Sequence, residues 1–519
     1  MSVKSSLAGA GRLMEALDSG NTGDLGPVLL NLADGLQETI GDSTVWEPGE
    51  VRSFTDFTKY VLIAVENGDF SFAAEVIGAH VIPLLQKVDV RSAVLKSSSK
   101  DSVTSAVQEQ YTDFMYPDEW RGVIPQEVRT SPLRATAVYS LDYIEHMCFP
   151  RFKRHHELQV LIAGCGTGES ACRCAMQFPD AHFVWTDISP TSLQRAEQYA
   201  RELALDNVEL RLADIMTMDL GETFDIIMSS GVTHHLSEPS AGVANLSRHL
   251  NDGGALAAMV YGEYGRFEIG LFQDAVRTVL GSQMNFRNGI ELAEAFLEEI
   301  DLSNRLPNIA WKHELSGGEN HMVDLLLNVN EHRYNVRSLS DMVEAGGMRI
   351  VDFIANLSLN PDKYVKSDKL KAQFAWLTYL DRCRLAEAIS GRISKLHFLA
   401  AKQTNEDPMP SPADDAFPTY LVFRSPFLLE GSFDTNLGPQ HYLELDVSCI
   451  YEPATASRQP LLIDESIKHL LSLCDGRSSV RDICQRMPKS VSIPAAQGFI
   501  RSAVQQRYLF LHLPDAETS

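Results

Sequence analysis

The segment from Leu158 to Asp187 constrains the fold of this chain more than any other. It reads LQVLIAGCGTGESACRCAMQFPDAHFVWTD, in which an apolar run up to Ala163 is followed by a glycine turn, a helical pattern and a second apolar run that ends in Asp187. A buried strand, a glycine turn, a helix and a second strand are typical of a parallel α/β unit that binds a nucleotide-type cofactor. We therefore expect a ligand at the carboxyl ends of these strands.

The glycines of the turn, Gly164, Gly166 and Gly168, have the spacing G-x-G-x-G. Glycine lets the backbone approach a ligand where a Cβ would collide, and the following helix offers free N–H groups. A dinucleotide site would have the wider spacing G-x-G-x-x-G, so the tighter spacing favours a cofactor with adenosine and ribose but no phosphate. Asp187, 19 residues after Gly168, is placed to bind the ribose hydroxyls. The alternative is a glycine turn of an ordinary α/β domain, because short glycine patterns are weak evidence.

Apolar runs and helical patterns continue to alternate downstream. The predicted strands are 208–212, 224–229 and 255–261, the predicted helices are 191–203 and 240–250, and a turn is predicted at 251–254. Strands that alternate with helices form a parallel sheet covered on both faces, with ligands at the carboxyl ends of the strands. The glycine turn, Asp187, Asp214 and the segment Ser230–His235 all fall at those ends.

These positions resemble the class I S-adenosylmethionine-dependent methyltransferases. The resemblance implies an α/β fold with a Rossmann-like, mostly parallel seven-stranded sheet, and S-adenosylmethionine as the cofactor. It assigns Asp187 to the ribose hydroxyls, Asp214 to the adenine amino group and Ile215 to the adenine ring. Ile162 stands where that family usually has an acid, so the cofactor's amino group must be bound by another group or through water. The predicted cofactor-binding residues are Tyr111, Tyr116, Gly164, Cys165, Gly166, Gly168, Asp187, Ile188, Asp214, Ile215, Ser230 and Gly231.

The string LIAGCGTG and the aromatic segment 107–122 further resemble a bacterial multidomain subgroup with a helical N-terminal extension and a winged-helix-like C-terminal module. In many relatives the upstream segment folds over the cofactor, which predicts that Tyr111 and Tyr116 belong to a lid. The alternative is that these aromatic residues pack the N-terminal helices on the sheet.

The predicted organisation has four parts. They are a helical N-terminal domain at 1–104, a methyltransferase domain at 105–403 with helical insertions at about 262–331 and 356–392, a linker at 404–430, and a winged-helix-like domain at 431–519. A helix at 336–345 and strands at 349–354 and 395–401 complete the predicted sheet. The resemblance places acceptor specificity in the insertions. The predicted third helix of the C-terminal domain carries only one charge, Arg501, which favours a protein contact or a structural role over DNA binding.

Composition excludes several classes of function. A net charge of −24 argues against nucleic acid as a partner, because phosphate binding needs a basic face. The N-terminal segment is too polar for a secretory signal, and no apolar stretch is long enough for a membrane span. The eight scattered cysteines show no metal-ligand spacing and predict reduced thiols in a cytoplasmic protein without a bound metal. The expected partner is the methyl acceptor, and a homodimer is left open.

Candidate catalytic residues follow the fourth and fifth strands. Methyl transfer from a sulfonium depends mostly on alignment, and a base is needed only if the acceptor must lose a proton. His234 and His235 are the candidate bases, unless the pair only shapes its loop. Glu263 and Tyr264 could hold a cationic amine, or could form an exposed polar turn. Further candidate substrate residues are Tyr261, Arg266, His332 and Tyr334.

These observations favour a methyltransferase that acts on a nitrogen or oxygen of a small metabolite, peptide or protein side chain. Bacterial protein-lysine methyltransferases share a similar layout, which is architectural support for a protein acceptor. The alternative is a methyltransferase-like protein that binds the cofactor or a partner without transfer. A third interpretation, a nicotinamide-dependent oxidoreductase, disagrees with the glycine spacing and with Asp214.

Overall fold

In a computed structural model the chain divides into two compact units, Met1–Ser102 and Val103–Ser519. The structure describes residues 61, 64, 73, 76–82, 102–126, 128, 137–152, 158–281, 285–299, 318–354, 357–402, 409–425, 428–430, 447–452, 457–462 and 464–514. The predicted helical N-terminal domain lies almost wholly outside these residues, apart from a π-helical turn at Ile77–Val81 and a few isolated positions.

The second unit is organised around a seven-stranded sheet, as the sequence predicted. Its strands are β1 (Gln159–Ala163), β2 (His182–Asp187), β3 (Val208–Leu212), β4 (Phe224–Ser230), β5 (Leu250–Tyr261), β6 (Arg349–Phe353) and β7 (Lys395–Ala401). Their order across the sheet is β3-β2-β1-β4-β5-β7-β6.

Helices flank this sheet and precede it. They are α1 (Ser102–Asp113), α2 (Leu141–Cys148), α3 (Glu169–Gln177), α4 (Pro190–Glu202), α5 (Pro239–Arg248), α6 (Phe267–Leu280), α7 (Phe286–Glu299), α8 (Glu319–Leu326), α9 (Val336–Ala345), α10 (Asp368–Ala372) and α11 (Tyr379–Ser390). Helices α6 to α8 lie in the first predicted insertion, and α10 and α11 lie in the second.

The sheet is mixed: it is mostly parallel, as the resemblance implied, but it is not strictly parallel. Strands β1 to β5 pair in parallel, whereas β7 runs antiparallel to both β5 and β6. Tyr261, the last residue of β5, pairs with Lys395, the first residue of β7. The beginning of β7 therefore lies at the same sheet edge as the carboxyl ends of β1 to β5.

One strand begins earlier than predicted. The turn expected at 251–254 lies inside β5, and helix α5 ends at Arg248 rather than at 250. Leu250 pairs with Phe224, and the register then shifts before Ile226 pairs with Ala255. The irregular pairing, with Gly253 at φ 76°, accommodates the polar residues that look like a turn in the sequence.

Both faces of the sheet are buried, which explains the continuous apolar runs of its strands. In β1, Val160 and Ile162 belong to the core beneath α2 and α3, whereas Leu161 and Ala163 belong to the core on the opposite face. All four side chains are fully buried. This packing places the carboxyl end of β1, and with it the glycine turn, on a rigid platform.

The described part of the C-terminal region contains two three-stranded sheets and three helices. Its elements are β8 (Leu421–Arg424), β9 (Leu428–Glu430), β10 (Val447–Glu452), β11 (Ser457–Leu462), α12 (Glu465–Leu473), β12 (Asp475–Ser479), α13 (Val480–Arg486), α14 (Ile493–Gln505) and β13 (Leu509–His512). The strand orders of the two sheets are β11-β10-β9 and β12-β8-β13. The predicted third helix of this region, which contains Arg501, is present as α14. Strand β8 lies within the predicted linker and is the central strand between β12 and β13, so the linker as predicted is too long.

The last strand pairs with β8 rather than with a neighbouring strand in a terminal hairpin. Phe423 of β8 and Phe510 of β13 pack around His146 of α2, and His146 Nδ1 lies 2.8 Å from His512 Nε2. This region therefore shares its core with the methyltransferase-like sheet. The winged-helix comparison stays a prediction. Within the described residues, no helix combines the length and the apolar character needed to cross a bilayer.

Truncation of a buried side chain of β7 tests how strongly this antiparallel strand supports the fold. Phe398 is fully buried in the core, so Phe398→Ala should lower the free energy of unfolding by about 3–5 kcal/mol. Leu370 of α10 is 51% exposed, and Leu370→Ala is the control, with an expected change of about 0.5 kcal/mol or less. Urea unfolding followed by tryptophan fluorescence measures both. Equal losses would contradict the placement of β7 inside the sheet.

Candidate functional site

A cavity of ≈ 330 Å³ opens at the carboxyl edge of the sheet. Its walls are formed by the ends of β1, β2, β4 and β5, by the beginning of β7 and by the segment around α1. Eleven of the twelve predicted cofactor-binding residues line it, namely Tyr111, Tyr116, Gly164, Cys165, Gly166, Asp187, Ile188, Asp214, Ile215, Ser230 and Gly231. The residues predicted from the glycine turn and its acids therefore come together around one cavity.

The glycine loop passes so close to other parts of the chain that side chains on its glycines would collide with them. Gly164 has φ 80° and Gly166 has φ 55°, both in the left-handed region that favours glycine. A Cβ on Gly164 would collide with Val232, and a Cβ on Gly166 would lie 2.6 Å from the Tyr116 carbonyl oxygen. Gly168 has a different role, because its missing Cβ would lie 2.7 Å from Cβ of Ala196. It permits the close approach of α3 to α4 and does not line the cavity.

Asp187 stabilises this loop and also faces the cavity. One carboxylate oxygen accepts from the Gly166 N–H at 2.8 Å, and the other accepts from the Ser189 N–H at 2.8 Å. Burial raises the pKa of Asp187, and these backbone hydrogen bonds oppose the rise. A carboxylate oxygen has more than one acceptor site, so both oxygens retain capacity for ribose hydroxyls.

The next strand supplies a second carboxylate and an apolar wall. Asp214 lines the cavity, and its Oδ1 accepts from the Met216 N–H at 2.9 Å. Ile215 beside it is 5% exposed, and Asn245 donates to its carbonyl oxygen at 2.8 Å. With Ile188 across the cavity, this arrangement suits a flat base whose amino group meets Asp214. The residues therefore fit the adenosine part of S-adenosylmethionine.

The aromatic segment covers the glycine loop. The Tyr111 carbonyl oxygen accepts from Ser189 Oγ at 2.8 Å, and the Tyr111 hydroxyl donates to Asp324 Oδ1 at 2.8 Å. Tyr116 lies over Gly166 and, like Tyr111, lines the cavity. Trp120 packs on Tyr199 in the core, with ring centroids 4.9 Å apart. The tyrosines of this segment thus lie over the cavity, and its tryptophan packs on the sheet domain.

The two candidate histidines have different surroundings. His234 is fully buried, does not line the cavity, and has no hydrogen-bond partner for its ring nitrogens among the described residues. Burial, with neighbouring positive groups such as His235, holds its pKa well below the ordinary value. His235 lines the cavity, and its Nδ1 lies 2.7 Å from the Asn330 carbonyl oxygen. A carbonyl only accepts, so Nδ1 carries the proton and Nε2 keeps its lone pair in the neutral ring.

Tyr261 lines the cavity, whereas Arg266 packs on the Tyr261 ring and does not line the cavity. The Arg266 guanidinium carbon lies 3.5 Å from the Tyr261 ring centroid, and Arg266 Nη2 lies 2.9 Å from Glu331 Oε2. Both charged side chains are 1% exposed. The Tyr261 hydroxyl donates to Asp324 Oδ2 at 3.4 Å. Arg266 is therefore a buried, paired cation and not a residue on the cavity wall.

The structure does not bring the remaining candidates into the cavity. Glu263 is exposed and accepts from Asn335 Nδ2 at 2.7 Å, and Tyr264 is 40% exposed. The His332 N–H donates to the His234 carbonyl oxygen at 2.9 Å, and Tyr334 pairs through its backbone with Gly262. Backbone hydrogen bonds hold Glu263, His332 and Tyr334 beside the ends of β4 and β5, but none of the four residues lines the cavity.

Sequence reasoning missed residues that flank the predicted ones or belong to β7. They are Thr104, Val107, Pro117, Glu119, Tyr139, Ser170, Ser192, Ala213, Val232, Leu236, Met259, Lys395 and His397. Lys395 and His397 alternate in KLHFLAA, which is a signal for one strand face. Only the antiparallel direction of β7 brings that face to the cavity.

Comparisons with known proteins agree with this geometry. A family described as a methyltransferase domain matches residues 161–256. The chain is 30% identical over 311 residues to the uncharacterized protein syc1184_c of Synechococcus. The aligned region covers 58% of this chain and 72% of that protein. A structure of PKMT2 from Rickettsia typhi in complex with AdoHcy has a TM-score of 0.51 at 13% identity, covering 74% of this chain and 77% of that one, and shows the fold alone.

Two enzymes match shorter parts of the chain. A malonyl-[acyl-carrier protein] O-methyltransferase of Paenibacillus is 28% identical over 109 residues, or 20% of this chain and 40% of the enzyme. A trans-aconitate 2-methyltransferase of Deinococcus radiodurans is 33% identical over 102 residues, or 20% of this chain and 37% of the enzyme.

The fold and the site define a class I S-adenosylmethionine-dependent methyltransferase domain, with S-adenosylmethionine as its cofactor. The chain belongs to the same family as the Synechococcus protein syc1184_c.

Replacement of Asp187 tests the ribose assignment. Asp187→Asn and Asp187→Ala should weaken S-adenosylmethionine binding by about tenfold to a hundredfold, since a hydrogen bond to a charged group contributes about 1.5–3 kcal/mol. Isothermal titration calorimetry measures the affinity. Asp219→Ala is the control, because Asp219 is an exposed aspartate that also accepts a backbone N–H but lies outside the cavity lining. Unchanged affinity in both Asp187 variants would refute the assignment.

A pair of glycine substitutions distinguishes the effect of a positive φ on a non-glycine residue from the effect of a steric clash of its Cβ. Gly166→Ala should weaken S-adenosylmethionine binding by about tenfold or more, because the new Cβ would collide with the Tyr116 carbonyl oxygen. Gly221→Ala is the matched control: its φ is 70°, but nothing lies within 4 Å of the added Cβ. Calorimetric titration should detect a loss of affinity only in the first variant. Equal binding by the two variants would mean that the close approach at Gly166 does not shape the site.

Proposed function

We propose that this chain transfers a methyl group from S-adenosylmethionine to a nitrogen or oxygen of a small metabolite, peptide or protein side chain. The observation that carries the proposal is the continuity of the cavity. It extends from the glycine loop, Asp187 and Asp214 to His235 and Tyr261 at the ends of β4 and β5. A protein that only bound the cofactor would not need acceptor-type groups in the same enclosed space.

The cofactor supplies an electrophilic methyl group on a sulfonium. The contribution of this chain is to hold the acceptor in line with the carbon–sulfur bond and to exclude water, which together can provide much of the rate. Tyr111 and Tyr116 cover the cavity from the side of α1. The hydrogen bonds of Tyr111 to Ser189 and Asp324 keep that cover in place.

Among the predicted bases, the geometry favours His235. Its Nδ1 is oriented by the Asn330 carbonyl oxygen, and its Nε2 is buried without a hydrogen-bond partner among the described residues. The ring can therefore accept a hydrogen bond from an acceptor group, and it can remove a proton where the acceptor carries one. The low pKa of His234 and its position outside the cavity lining support a packing role for that residue.

The activities named for the two enzymes with short matches support methyl transfer, and one of the names specifies an oxygen as the methylated atom. The matches cover 40% and 37% of those enzymes. The acceptor must be identified experimentally.

Incubation of the purified chain with methyl-labelled S-adenosylmethionine and a cell extract tests the proposal directly. Label should enter a product whose size separates small molecules, peptides and proteins. The Asp187→Asn variant is the negative control. Absence of label in every size fraction, with tight cofactor binding, would favour the alternative of a binding protein without transferase activity.

His235→Gln tests the role of the histidine that lines the cavity. We expect the rate of label transfer to fall by about tenfold or more while cofactor affinity stays unchanged, because the ring faces the acceptor side. Glu263→Gln is the control, since Glu263 is exposed at the nearby edge but does not line the cavity. The same assay with labelled cofactor measures both rates. Normal transfer by the His235 variant would remove this residue from the mechanism.

A further inference from the structure

The acceptor end of the cavity, formed by His235, Leu236, Met259 and Tyr261, contains an imidazole nitrogen with an available lone pair. His235 is 3% exposed, and its Nδ1–H donates to the Asn330 carbonyl oxygen at 2.7 Å, so the lone pair of the neutral ring is on Nε2. Nε2 is buried and has no hydrogen-bond partner among the described residues. Because such an atom is costly, its position in the lining indicates that a ligand supplies an O–H or N–H donor to it.

Two tyrosine rings flank His235. Their centroids, in Tyr111 and Tyr261, each lie 6.0 Å from the centroid of the imidazole ring. Both tyrosine hydroxyls donate to Asp324, at 2.8 Å and 3.4 Å, and Asp324 does not line the cavity. These hydrogen bonds hold the hydroxyls towards a residue outside the lining, so the surface beside Nε2 is mainly that of the two rings.

The neighbouring part of the sheet adds a thioether and a second neutral imidazole. Met259 pairs with His397 across the antiparallel β5–β7 ladder, and both residues line the cavity. Burial, with the neighbouring Lys395, lowers the pKa of His397 to about 3, so its ring is neutral at physiological pH. Aromatic rings pack favourably on other aromatic rings and on thioethers. The acceptor end therefore suits a flat ring that carries its donor group towards His235.

The surroundings of Tyr261 do not favour a cationic amine. The Arg266 guanidinium carbon lies 3.5 Å from the Tyr261 ring centroid, so one face of this ring already binds a cation. Glu331 is paired with Arg266, and Asp324 accepts from the two tyrosine hydroxyls. These two acids do not line the cavity and are therefore not available to a cationic acceptor.

The carboxylates that do line the cavity belong to other parts of it. Asp187 ends β2 and Asp214 follows β3, and both are predicted to bind the adenosine part of the cofactor. Glu119 precedes Trp120, which packs on Tyr199 of α4. Among the described lining residues, none of the carboxylates belongs to β4, β5, β7 or the turn that contains His235. A neutral acceptor therefore fits this end better than a cationic one.

The chemistry of an imidazole base narrows the class of neutral acceptor. An imidazole removes a proton most readily from a donor that is not a much weaker acid than the imidazolium ion. A phenol has a pKa of about 10, as in tyrosine, whereas aliphatic hydroxyls and amides are far weaker acids. A phenol also has the flat ring that the acceptor end suits, so the base and the shape of the wall favour the same class.

We propose that the methyl acceptor is the hydroxyl of a phenol, in a small aromatic molecule or in a tyrosine side chain, and that the product is an aryl methyl ether. This inference rests on the proposed function. The phenol oxygen forms a bond to the methyl carbon as the carbon–sulfur bond breaks, and the electron pair of the broken bond stays on sulfur. The phenol proton moves to His235 Nε2, so the positive charge of the sulfonium is replaced by that of an imidazolium, which later releases the proton to water.

The chemistry of the labelled bond tests the class of the acceptor. The full chain is incubated with methyl-labelled S-adenosylmethionine and cell extract, the products are separated by size, and each fraction is treated with mild alkali or with hot hydriodic acid. An aryl methyl ether is stable to alkali and releases volatile methyl iodide in hydriodic acid. A methyl ester instead releases methanol in alkali, and an N-methyl group stays in the involatile residue at the temperature that cleaves the ether.

We expect alkali-stable label that hydriodic acid releases, and a parent compound whose absorbance shifts in alkali as that of a phenol does. Release from the small-molecule fraction would identify an aromatic metabolite, and release from the protein fraction a tyrosine side chain. Alkali-labile label, label retained in hydriodic acid, or a parent compound without the phenol shift would overturn the phenol assignment and leave the proposed function intact. No label in any fraction would overturn both.

Replacement of Tyr261 tests the role of the flanking ring. Tyr261→Leu should lower the rate of ether formation by about tenfold or more, with cofactor affinity by calorimetry within about twofold of the parent, whereas Tyr261→Phe keeps the ring and should recover most of that rate. Tyr364→Leu is the control, because Tyr364 is a half-buried tyrosine outside the cavity lining. Equal rates for the Leu and Phe variants, or a loss of cofactor affinity in Tyr261→Leu, would overturn the placement of the acceptor ring beside Tyr261.

Met259 provides a second test of the same wall. Met259→Ala should lower the rate of ether formation by about fivefold or more, and Met259→Leu should restore most of it, because the acceptor ring then regains an apolar contact. Thermal unfolding verifies that each variant is folded. A rate for Met259→Ala equal to that of the parent would contradict the placement of the ring on β5.

Discussion

The carboxylate of Asp187 is the constraint on which the site depends. It accepts from the Gly166 N–H, while the Thr186 carbonyl oxygen accepts from the N–H groups of Gly164 and Cys165. The end of β2 therefore determines the shape of the loop after β1. Because the same carboxylate faces the cavity, the group that we predict to bind the ribose also maintains the glycine loop. Loss of Asp187 should affect binding through both roles.

The part of the fold that sequence reasoning predicted is the part encoded by local patterns. The turn from Gly164 to Gly168 and Asp187 follow apolar runs that form the buried strands β1 and β2, and Asp214 follows the less buried strand β3. Parallel packing then brings their carboxyl ends together. Strand direction and partner choice are not local properties, so the antiparallel β7 and the pairing of β8 with β13 were not predicted.

The same reason explains why several candidate site residues lie apart from one another in the structure. Tyr261, Arg266 and Glu263 are close in sequence, but the first faces the cavity, the second is buried against Glu331 and the third is exposed. The paired charge at Arg266 depends on a residue 65 positions away, in the segment after α8. A short motif with alternating aromatic and charged residues does not show which of its side chains will line the cavity. That depends on which side chains are buried and on partners that are distant in the sequence.

The separation of the two ends of the cavity has a consequence for how acceptor specificity can change. The cofactor residues follow β1 to β4, whereas Lys395 and His397 belong to β7, which the chain reaches only after two helical insertions. Substitutions at the beginning of β7, where Lys395 is half-buried and His397 is buried, can change that wall without changing Gly164, Asp187 or the bonds that hold the loop. The arrangement therefore allows the wall at β7 to vary while the predicted cofactor residues stay the same, because the two walls belong to different strands of the sheet.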